Sequence, residues 1–150
     1  MFEGLYRLLT GQDGAPEAAR QNDTAFALAV LLIEVARSDD RLANIEESVI
    51  ERTLSRRFGL NREEVLRLVE AAEERALQAT DLFHFTQAVV ENFSEAERVG
   101  VVEMLWEVAY ADGELTGGED SLIRRVAGLI YVSDRDRGEA KRRVRERLRS

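Results

Sequence analysis

The densest group of oxygen ligands in the sequence lies between Ala109 and Asp120, in the stretch AYADGELTGGED. Its twelve residues include three glycines and four carboxylates, which are Asp112, Glu114, Glu119 and Asp120. Carboxylate oxygens, together with backbone carbonyls in a glycine-containing turn, are ligands that Ca²⁺ and Mg²⁺ prefer. The same acids also suit the start of a helix, where the macrodipole favours negative charge. The stretch is therefore a candidate for a hard-cation site or for a helix cap.

The ligand spacing excludes an EF-hand. If Asp112 is loop position 1, then Glu114, Thr116 and Gly117 fall acceptably at positions 3, 5 and 6. Position 12, however, is Ile123, where an EF-hand loop requires a bidentate glutamate. Any cation site in this stretch must have a different geometry.

Helix capping is the competing explanation for Glu119. Thr116 and Glu119 have the T-x-x-E spacing of a capping box, in which the two residues satisfy each other's backbone N–H groups. In the related segment described below, the box is displaced by one residue, to Asn44 and Glu47. Two further pairs with capping-box spacing are Asn61…Glu64 and Ser94…Glu97. The next acid, Asp120, is expected to lie in the first turn of a helix and to be solvated.

The elements that would position these acids are helices, because strand-like alternation is nearly absent and helical spacing of apolar residues runs through the chain. The spacing predicts helices over residues 1–9, 24–37, 44–58, 61–79, 81–93, 94–111, 119–131 and 134–149. Asn22 or Asp23 is the expected cap of the second helix. We therefore predict an all-α bundle of about seven or eight helices, with a short amphipathic helix and linker over 1–23 and a helical domain over 24–150.

An internal repeat organises this domain. A shift of 73 residues aligns LIEVARSDDRLANIEESVI (32–50) with LWEVAYADGELTGGEDSLI (105–123), with nine of nineteen residues identical. Each copy reads as a helix, a short acidic turn and a second helix. The sequence therefore predicts an internal duplication of helical hairpins, with repeat halves at about 24–79 and 97–150.

In each copy a carboxylate, Asp39 or Asp112, ends the apolar stripe of the first helix. Burying a carboxylate without compensation is expensive, so each needs backbone N–H groups, an arginine or a metal ion as its partner. The acids that the repeat places at equivalent positions are Glu34, Asp39 and Glu46 in the first copy and Glu107, Asp112 and Glu119 in the second.

Charge and composition narrow the class of protein. Residues 135–150 carry a net charge of +5 and the rest of the chain −13, which does not favour nucleic acid as a partner. Cysteine is absent, and no apolar run is long enough to span a membrane, so the expected location is the cytoplasm.

His84 is the one histidine and is expected to be partly buried and hydrogen-bonded. Trp106 is expected to pack in the core or at an interface.

The pattern EVAYADGELTGGE (107–119), with EVARSDDRLANIE (34–46) as its divergent copy, resembles the TerB-like family of bacterial tellurite-resistance proteins. It also resembles the related domain at the N-terminus of DjlA-type co-chaperones. The resemblance covers about residues 24–149. It implies an all-helical domain of duplicated hairpins, an acidic cluster proposed to bind metal, and a module rather than an enzyme. Asp40 stands where the pattern has glycine, so a cation site is expected at the second copy.

Two functions remain open on this sequence. The first is a TerB-like, non-enzymatic module that binds a divalent cation, Ca²⁺ or Mg²⁺, through the repeat carboxylates. The second is an interaction or scaffold module for an unidentified protein partner, in which the acids are caps. In that case the basic C-terminal tail or the N-terminal helix docks a partner or, peripherally, a membrane surface. A metal-dependent hydrolase is a third alternative that nothing in the sequence selects.

Overall fold

The computed structural model describes residues 17–37, 44–111 and 117–149, and its description of side chains excludes 17–22, 44–46 and 117. These ranges form seven helices and contain no strand, which confirms the predicted all-α bundle. The helices are α1 (Glu17–Ala36), α2 (Asn44–Phe58), α3 (Arg62–Gln78), α4 (Phe83–Asn92), α5 (Glu95–Ala109), α6 (Gly117–Leu129) and α7 (Asp134–Arg149). The helix predicted over residues 1–9 lies outside the described residues.

Two predicted helix starts are wrong. Helix α1 begins at Glu17, so Asn22 and Asp23 lie inside it rather than capping it. The intervening EAARQ is rich in strong helix formers, which extends the helix back to the residue after the single proline. Helix α6 begins at Gly117, two residues before its predicted start. Asn44 is the first residue of α2, but its side chain lies outside the described residues, so the displaced Asn44…Glu47 box stays a prediction.

Both clear capping boxes are confirmed. The Glu64 N–H donates to Asn61 Oδ1 at 2.8 Å, and the Asn61 N–H donates to Glu64 Oε1 at 3.0 Å. Ser94 and Glu97 make the same pair of bonds at 3.2 and 2.9 Å. The bond from the Ser94 backbone is the largest cause that holds the pKa of Glu97 below its usual value. These boxes fix the starts of α3 and α5.

Helix α1 is the centre of the bundle. It packs against α2, α3, α4, α5 and α6, and every side chain from Ala27 to Ile33 is at most 3% exposed. A helix that is apolar on all sides is stable in water only when other helices cover it. The partner helix α5 is buried through Val101, Leu105 and Trp106, which confirms Trp106 as a core residue.

The predicted repeat coincides with the helix boundaries. Helices α1 and α5 end 73 residues apart, at Ala36 and Ala109, and α2 and α6 begin 73 residues apart. Identical pairs at this spacing that are fully buried on both sides include Leu32/Leu105, Val35/Val108 and Ile50/Ile123. The pair Leu42/Leu115 lies outside the described residues. The helix contacts are paired in the same way, α1–α3 with α5–α7 and α1–α6 with α5–α2.

The predicted repeat halves, about 24–79 and 97–150, each contain a third helix after the aligned hairpin, and these two helices begin 72 residues apart. Asn61 and Ser133 are the equivalent N-caps of α3 and α7, and Ser133 Oγ accepts from the Asp136 N–H at 3.1 Å. Gly59 and Tyr131 are also 72 residues apart, and both have left-handed backbones, with φ of 64° and 61°. Each copy is therefore a three-helix unit, and α4 lies between the two units.

These left-handed residues give a stability prediction. Glycine accepts a positive φ at no steric cost, whereas a residue with a Cβ pays about 1–2 kcal/mol. Tyr131→Gly should therefore raise the free energy of unfolding by about 0.5–1 kcal/mol, since Tyr131 is 72% exposed and loses little packing. Gly59→Ala should lower it by about 1 kcal/mol. A Cβ at Gly59 would meet nothing within 4 Å, so only the backbone opposes it. Urea midpoints of the two variants would test this, and shifts in the same direction would contradict it.

At the α2–α3 contact, the surroundings of Glu73 disfavour the charged form of its carboxylate. Glu73 Oε1 is buried and has no hydrogen-bond partner among the described residues. Burial is the largest cause that raises the pKa of Glu73 above its ordinary value of 4.5. The neighbouring carboxylates of Glu47, Glu51 and Glu70 raise this pKa further, and only Arg37 opposes them. The folded state therefore binds a proton here more readily than the unfolded chain does.

The contribution of Glu73 to the free energy of unfolding therefore depends on pH. Protonated Glu73 contributes stability that is fully present below about pH 4.5 and is lost as the pH rises through the higher folded-state pKa. Glu73→Gln should therefore raise stability at pH 7, by less than about 1 kcal/mol because solvent screens the group. The gain should disappear at pH 4. The exposed neighbour Glu74→Gln is the matched control. Urea melts at both pH values would measure the difference, and a gain of equal size at both would rule out the titration of Glu73 as its cause.

Candidate functional site

The structure describes only part of the set of six predicted site acids. Side chains are described for three of them: Glu34, Glu107 and Glu119. Asp39 and Asp112 lie outside the described residues, and of Glu46 only the backbone is described. Glu46 is the third residue of α2, and Glu119 is the third residue of α6. The repeat thus places the last acid of each copy in the first turn of a helix, where the macrodipole favours a carboxylate.

Glu107 is neutralised by the basic tail. Its Oε1 accepts from Arg147 Nη2 at 2.5 Å, and Arg147 Nη1 also donates to Glu103 Oε1 at 2.9 Å. Arg143 Nε donates to the same Glu103 oxygen at 3.4 Å. The two bonds that Arg147 donates raise its pKa, and the bond to Glu103 contributes most. The tail that the sequence marked as a candidate docking element therefore docks, through these two arginines, on the protein's own acidic helix α5.

Glu119 and Asp120 are adjacent but differ in their surroundings. Glu119 has 0% exposure, which is unusual for a glutamate. Asp120 bonds Arg124 at 3.0 Å and Lys141 at 3.3 Å, so the expectation that it would be solvated is wrong. Lys141 also lies over the Trp106 ring, 4.9 Å from its centroid. The sequence did not predict this contact because it joins α5, α6 and α7 through residues far apart in the chain.

Glu34 connects the two repeat units. It is half-buried on α1, and burial is the largest cause that raises its pKa. The positive charges of Arg37 and Arg125 oppose this shift, and Arg125 belongs to α6 of the other unit. The arginine charges therefore offset only part of the effect of burial on Glu34.

The described acids alone do not fit a divalent cation. In residues 23–37, 47–111 and 118–149, no three His, Cys, Asp or Glu side chains are grouped so that they could hold an ion. Glu107 already accepts a guanidinium, and a cation would have to displace it. A metal centre at the second copy would need further oxygen ligands from residues 112–116, which the structure does not describe.

A different feature, the α1–α4 groove, is an open cleft of about 480 Å³ between the middle of α1 and the length of α4. We define it by its main lining residues, which are Asp23, Phe26, Phe83, His84, Gln87 and Glu91. Phe83 is 62% exposed, although phenylalanine is normally buried, and Phe26 is half-buried beside it. Asp81 also contributes to the rim, and its Oδ1 accepts from the Phe83 N–H at 3.0 Å. The groove thus combines exposed aromatic surface with carboxylates.

The charged groups of the α1–α4 groove act on one another across the two helices. Burial is the largest cause that raises the pKa of Asp23, Glu91 raises it further, and His84 lowers it. His84 is exposed, so the prediction of a partly buried histidine is wrong. In the LFHF segment the buried residues are Leu82 and Phe85, spaced by three, which turns the intervening histidine outward. Sequence reasoning missed the groove because its two walls lie about sixty residues apart, although the aromatic residues around His84 were a signal.

The fold and the helix-end acids together define a class: an all-α protein of two related three-helix units, with an acid in the first turn of each unit's second helix. The family model described as tellurite resistance protein TerB matches residues 25–142. The chain belongs to the TerB family, which confirms the resemblance found in its sequence.

The chain is also similar to a solved structure, the crystal structure of a protein of unknown function, PG1108, from Porphyromonas gingivalis W83. The TM-score is 0.61 at 17% sequence identity, over 83% of this chain and 95% of that chain. At this identity the similarity shows the fold alone. No curated protein matches the chain. Across the part of the chain that the structure describes, none of the helices combines the length and apolar character needed to cross a bilayer.

Proposed function

We propose that this TerB-family chain is a non-enzymatic interaction module that binds a protein partner in the α1–α4 groove. The observation that carries the proposal is the 62% exposure of Phe83 beside half-buried Phe26 in a cleft of about 480 Å³. Exposed apolar surface rimmed by polar residues marks interaction sites. Aromatic side chains in such clefts supply much of the binding free energy of interfaces.

The chemistry of the repeat acids supports a binding role over a catalytic one. Glu107 is bonded to Arg147. A general acid or base must be within hydrogen-bond reach of a substrate proton, and a carboxylate tied to a guanidinium is poorly placed for that task. The single histidine, His84, stands on an exposed rim and not beside a nucleophile.

Site-specific photo-crosslinking tests the proposal. A benzoylphenylalanine at position 87 would replace Gln87 inside the α1–α4 groove, and the same group at position 66 would replace Leu66, which is 40% exposed on α3. In the source cells, the probe at 87 should give a discrete crosslinked product and the probe at 66 should not. Adding Phe83→Ser to the first protein should reduce that product about tenfold. Identical products from both positions would mean that the groove is not the binding surface.

A second candidate function, divalent-cation binding at the second repeat, is favoured by the complete burial of Glu119. In the sequence this carboxylate lies seven residues after Asp112 and five after Glu114. A hard cation bound by Asp112, Glu119 and nearby backbone oxygens would neutralise them. Because no bidentate glutamate is available at the EF-hand position, the affinity should be weak, at about 10⁻⁴–10⁻³ M.

Thermal unfolding in EDTA and then in millimolar Ca²⁺ or Mg²⁺ separates the two functions. An ion that binds only the folded state must raise the melting temperature with its concentration. A cation site predicts such a rise, and it predicts that the rise is lost in the Asp112→Asn, Glu119→Gln double variant. Asp120→Asn is the control, since Asp120 is bonded to Arg124 and Lys141. An unchanged melting temperature would remove the cation function and leave the interaction module.

A further inference from the structure

We infer that the α1–α4 groove takes a basic amphipathic helix of its partner, an inference that rests on the proposed interaction function. The groove extends along a helix instead of forming a round pocket. Phe83, Gln87 and Glu91 are spaced by four residues, so they form one row along α4 about 12 Å long. The opposite wall is the α1 turn that carries Asp23, Phe26 and Ala27. A row of this kind suits a partner helix laid between two helices, with anchors spaced by three or four residues.

The floor of the groove is apolar. Phe83 and half-buried Phe26 supply aromatic surface, and Ala27 and Ala88 supply small side chains beside them. Small residues next to exposed rings leave depth for aliphatic side chains of a partner. The apolar stripe of an amphipathic helix has this form, with one or two large side chains per turn.

The rim of the groove is acidic. Asp23, Asp81 and Glu91 line it, and among the side chains that the structure describes, the lining includes no lysine or arginine. Asp81 Oδ1 accepts from the Phe83 N–H, and Glu91 Oε1 accepts from Gln87 Nε2 at 3.3 Å, so each carboxylate has a second oxygen that could accept from a partner. Asp23 and Glu91 lie on opposite walls. Burial has raised the pKa of Asp23, so a partner cation placed beside it would relieve part of that cost. The rim therefore favours lysine or arginine flanking the apolar stripe, and it disfavours acidic helices and phosphate-bearing surfaces.

Two designed probes test this chemistry on the full chain. The first is a fluorescein-labelled 14-residue amphipathic helix of leucine and lysine, and the second has the same pattern of leucine and glutamate. We expect the Leu/Lys helix to bind, with fluorescence anisotropy rising to saturation, and the Leu/Glu helix to bind at least about tenfold more weakly. Since His84 is the only histidine, its ring signals in NMR spectra should shift on titration with the first peptide. That signal locates binding in the groove.

Three variants test whether the peptide binds in the groove or is held only by general attraction between an acidic protein and a basic peptide. Phe83→Ser removes the exposed ring without adding charge, and it should weaken Leu/Lys binding about tenfold. Leu66→Ser removes an exposed leucine of α3, outside the groove, and should change binding less than about twofold. Asp23→Asn with Glu91→Gln should weaken binding about fivefold and flatten its salt dependence. Melting temperatures would confirm that each variant is folded.

Each outcome supports or overturns the inference. Equal weakening by Phe83→Ser and Leu66→Ser, or an unmoved His84 signal, would place the peptide elsewhere. Equal binding of the two peptides would overturn the basic-helix chemistry and leave the crosslink from position 87 as an independent test of the interaction function. The last experiment is sedimentation of the chain alone, which measures whether it self-associates. Self-association abolished by Phe83→Ser would assign the groove to a second copy of this chain and overturn a separate basic partner.

Discussion

Leu32→Ala and Leu105→Ala are expected to lower the free energy of unfolding by similar amounts, about 3–5 kcal/mol each. The two leucines hold equivalent positions in the repeat, on the two helices that pack against each other at the centre of the bundle, and both have 0% exposure. A leucine removed from such a site loses its transfer free energy and leaves a cavity. Because the two leucines are equivalent in the repeat, we expect the two losses in free energy of unfolding to be nearly equal.

Urea unfolding at pH 7 would measure both losses. Leu66→Ala is the control, because Leu66 is 40% exposed and should cost less than about 1 kcal/mol. A loss at one central leucine less than half that at the other would show that the two units do not share the core symmetrically. A lowered m-value would instead indicate that unfolding is no longer a single transition.

Arg147→Glu should be the most disruptive single charge change at the α5–α7 contact, with a loss of about 1–2 kcal/mol. The substitution removes the bonds to Glu103 and Glu107 and places a third carboxylate between them. The estimate is modest because Arg147 is about half-exposed and each exposed ion pair contributes only about 0.2–1 kcal/mol. Salt should reduce the difference between the variant and the wild type, since it screens both attraction and repulsion.

A charge swap distinguishes this contact from a general effect of charge. Glu107→Arg combined with Arg147→Glu should recover part of the loss, because it restores one pair of opposite charges. Arg142→Glu is the matched control on the same helix, since Arg142 forms an ion pair with Glu146, also on α7, at 2.9 Å. If Arg142→Glu cost as much as Arg147→Glu, the docking of α7 on the acids of α5 would not explain the loss.

The sequence predicted most helices because their ends carry local signals. Helix α2 runs over the predicted 44–58, and Gly59 ends it in a left-handed conformation. The capping boxes at the starts of α3 and α5 are determined by residues three apart, which sequence spacing shows directly. The start of α1 was missed because Asn22 and Asp23 resemble a cap, and only the strong helix formers before them show that the helix continues.

The candidate site could be predicted only in part, because its determinants are contacts between distant residues. The sequence identified Glu107 and the basic tail separately, but the bond from Arg147 depends on how α7 packs on α5, forty residues away. The predicted repeat halves included the third helix of each unit, but the gapless alignment ended before it because the repeat spacing changes from 73 to 72 residues. The α1–α4 groove could not be predicted, because it forms only when two helices far apart in the sequence pack together.

The most direct test of the central claim is the affinity of the partner captured from position 87, measured by calorimetry for wild type, Phe83→Ser and Leu66→Ser. If the α1–α4 groove is the binding surface, Phe83→Ser should raise the Kd about tenfold or more, which corresponds to about 1.4 kcal/mol, and Leu66→Ser should leave it within about twofold. A Kd that is the same for Phe83→Ser and wild type, with both proteins folded, would contradict the claim that this groove holds the partner.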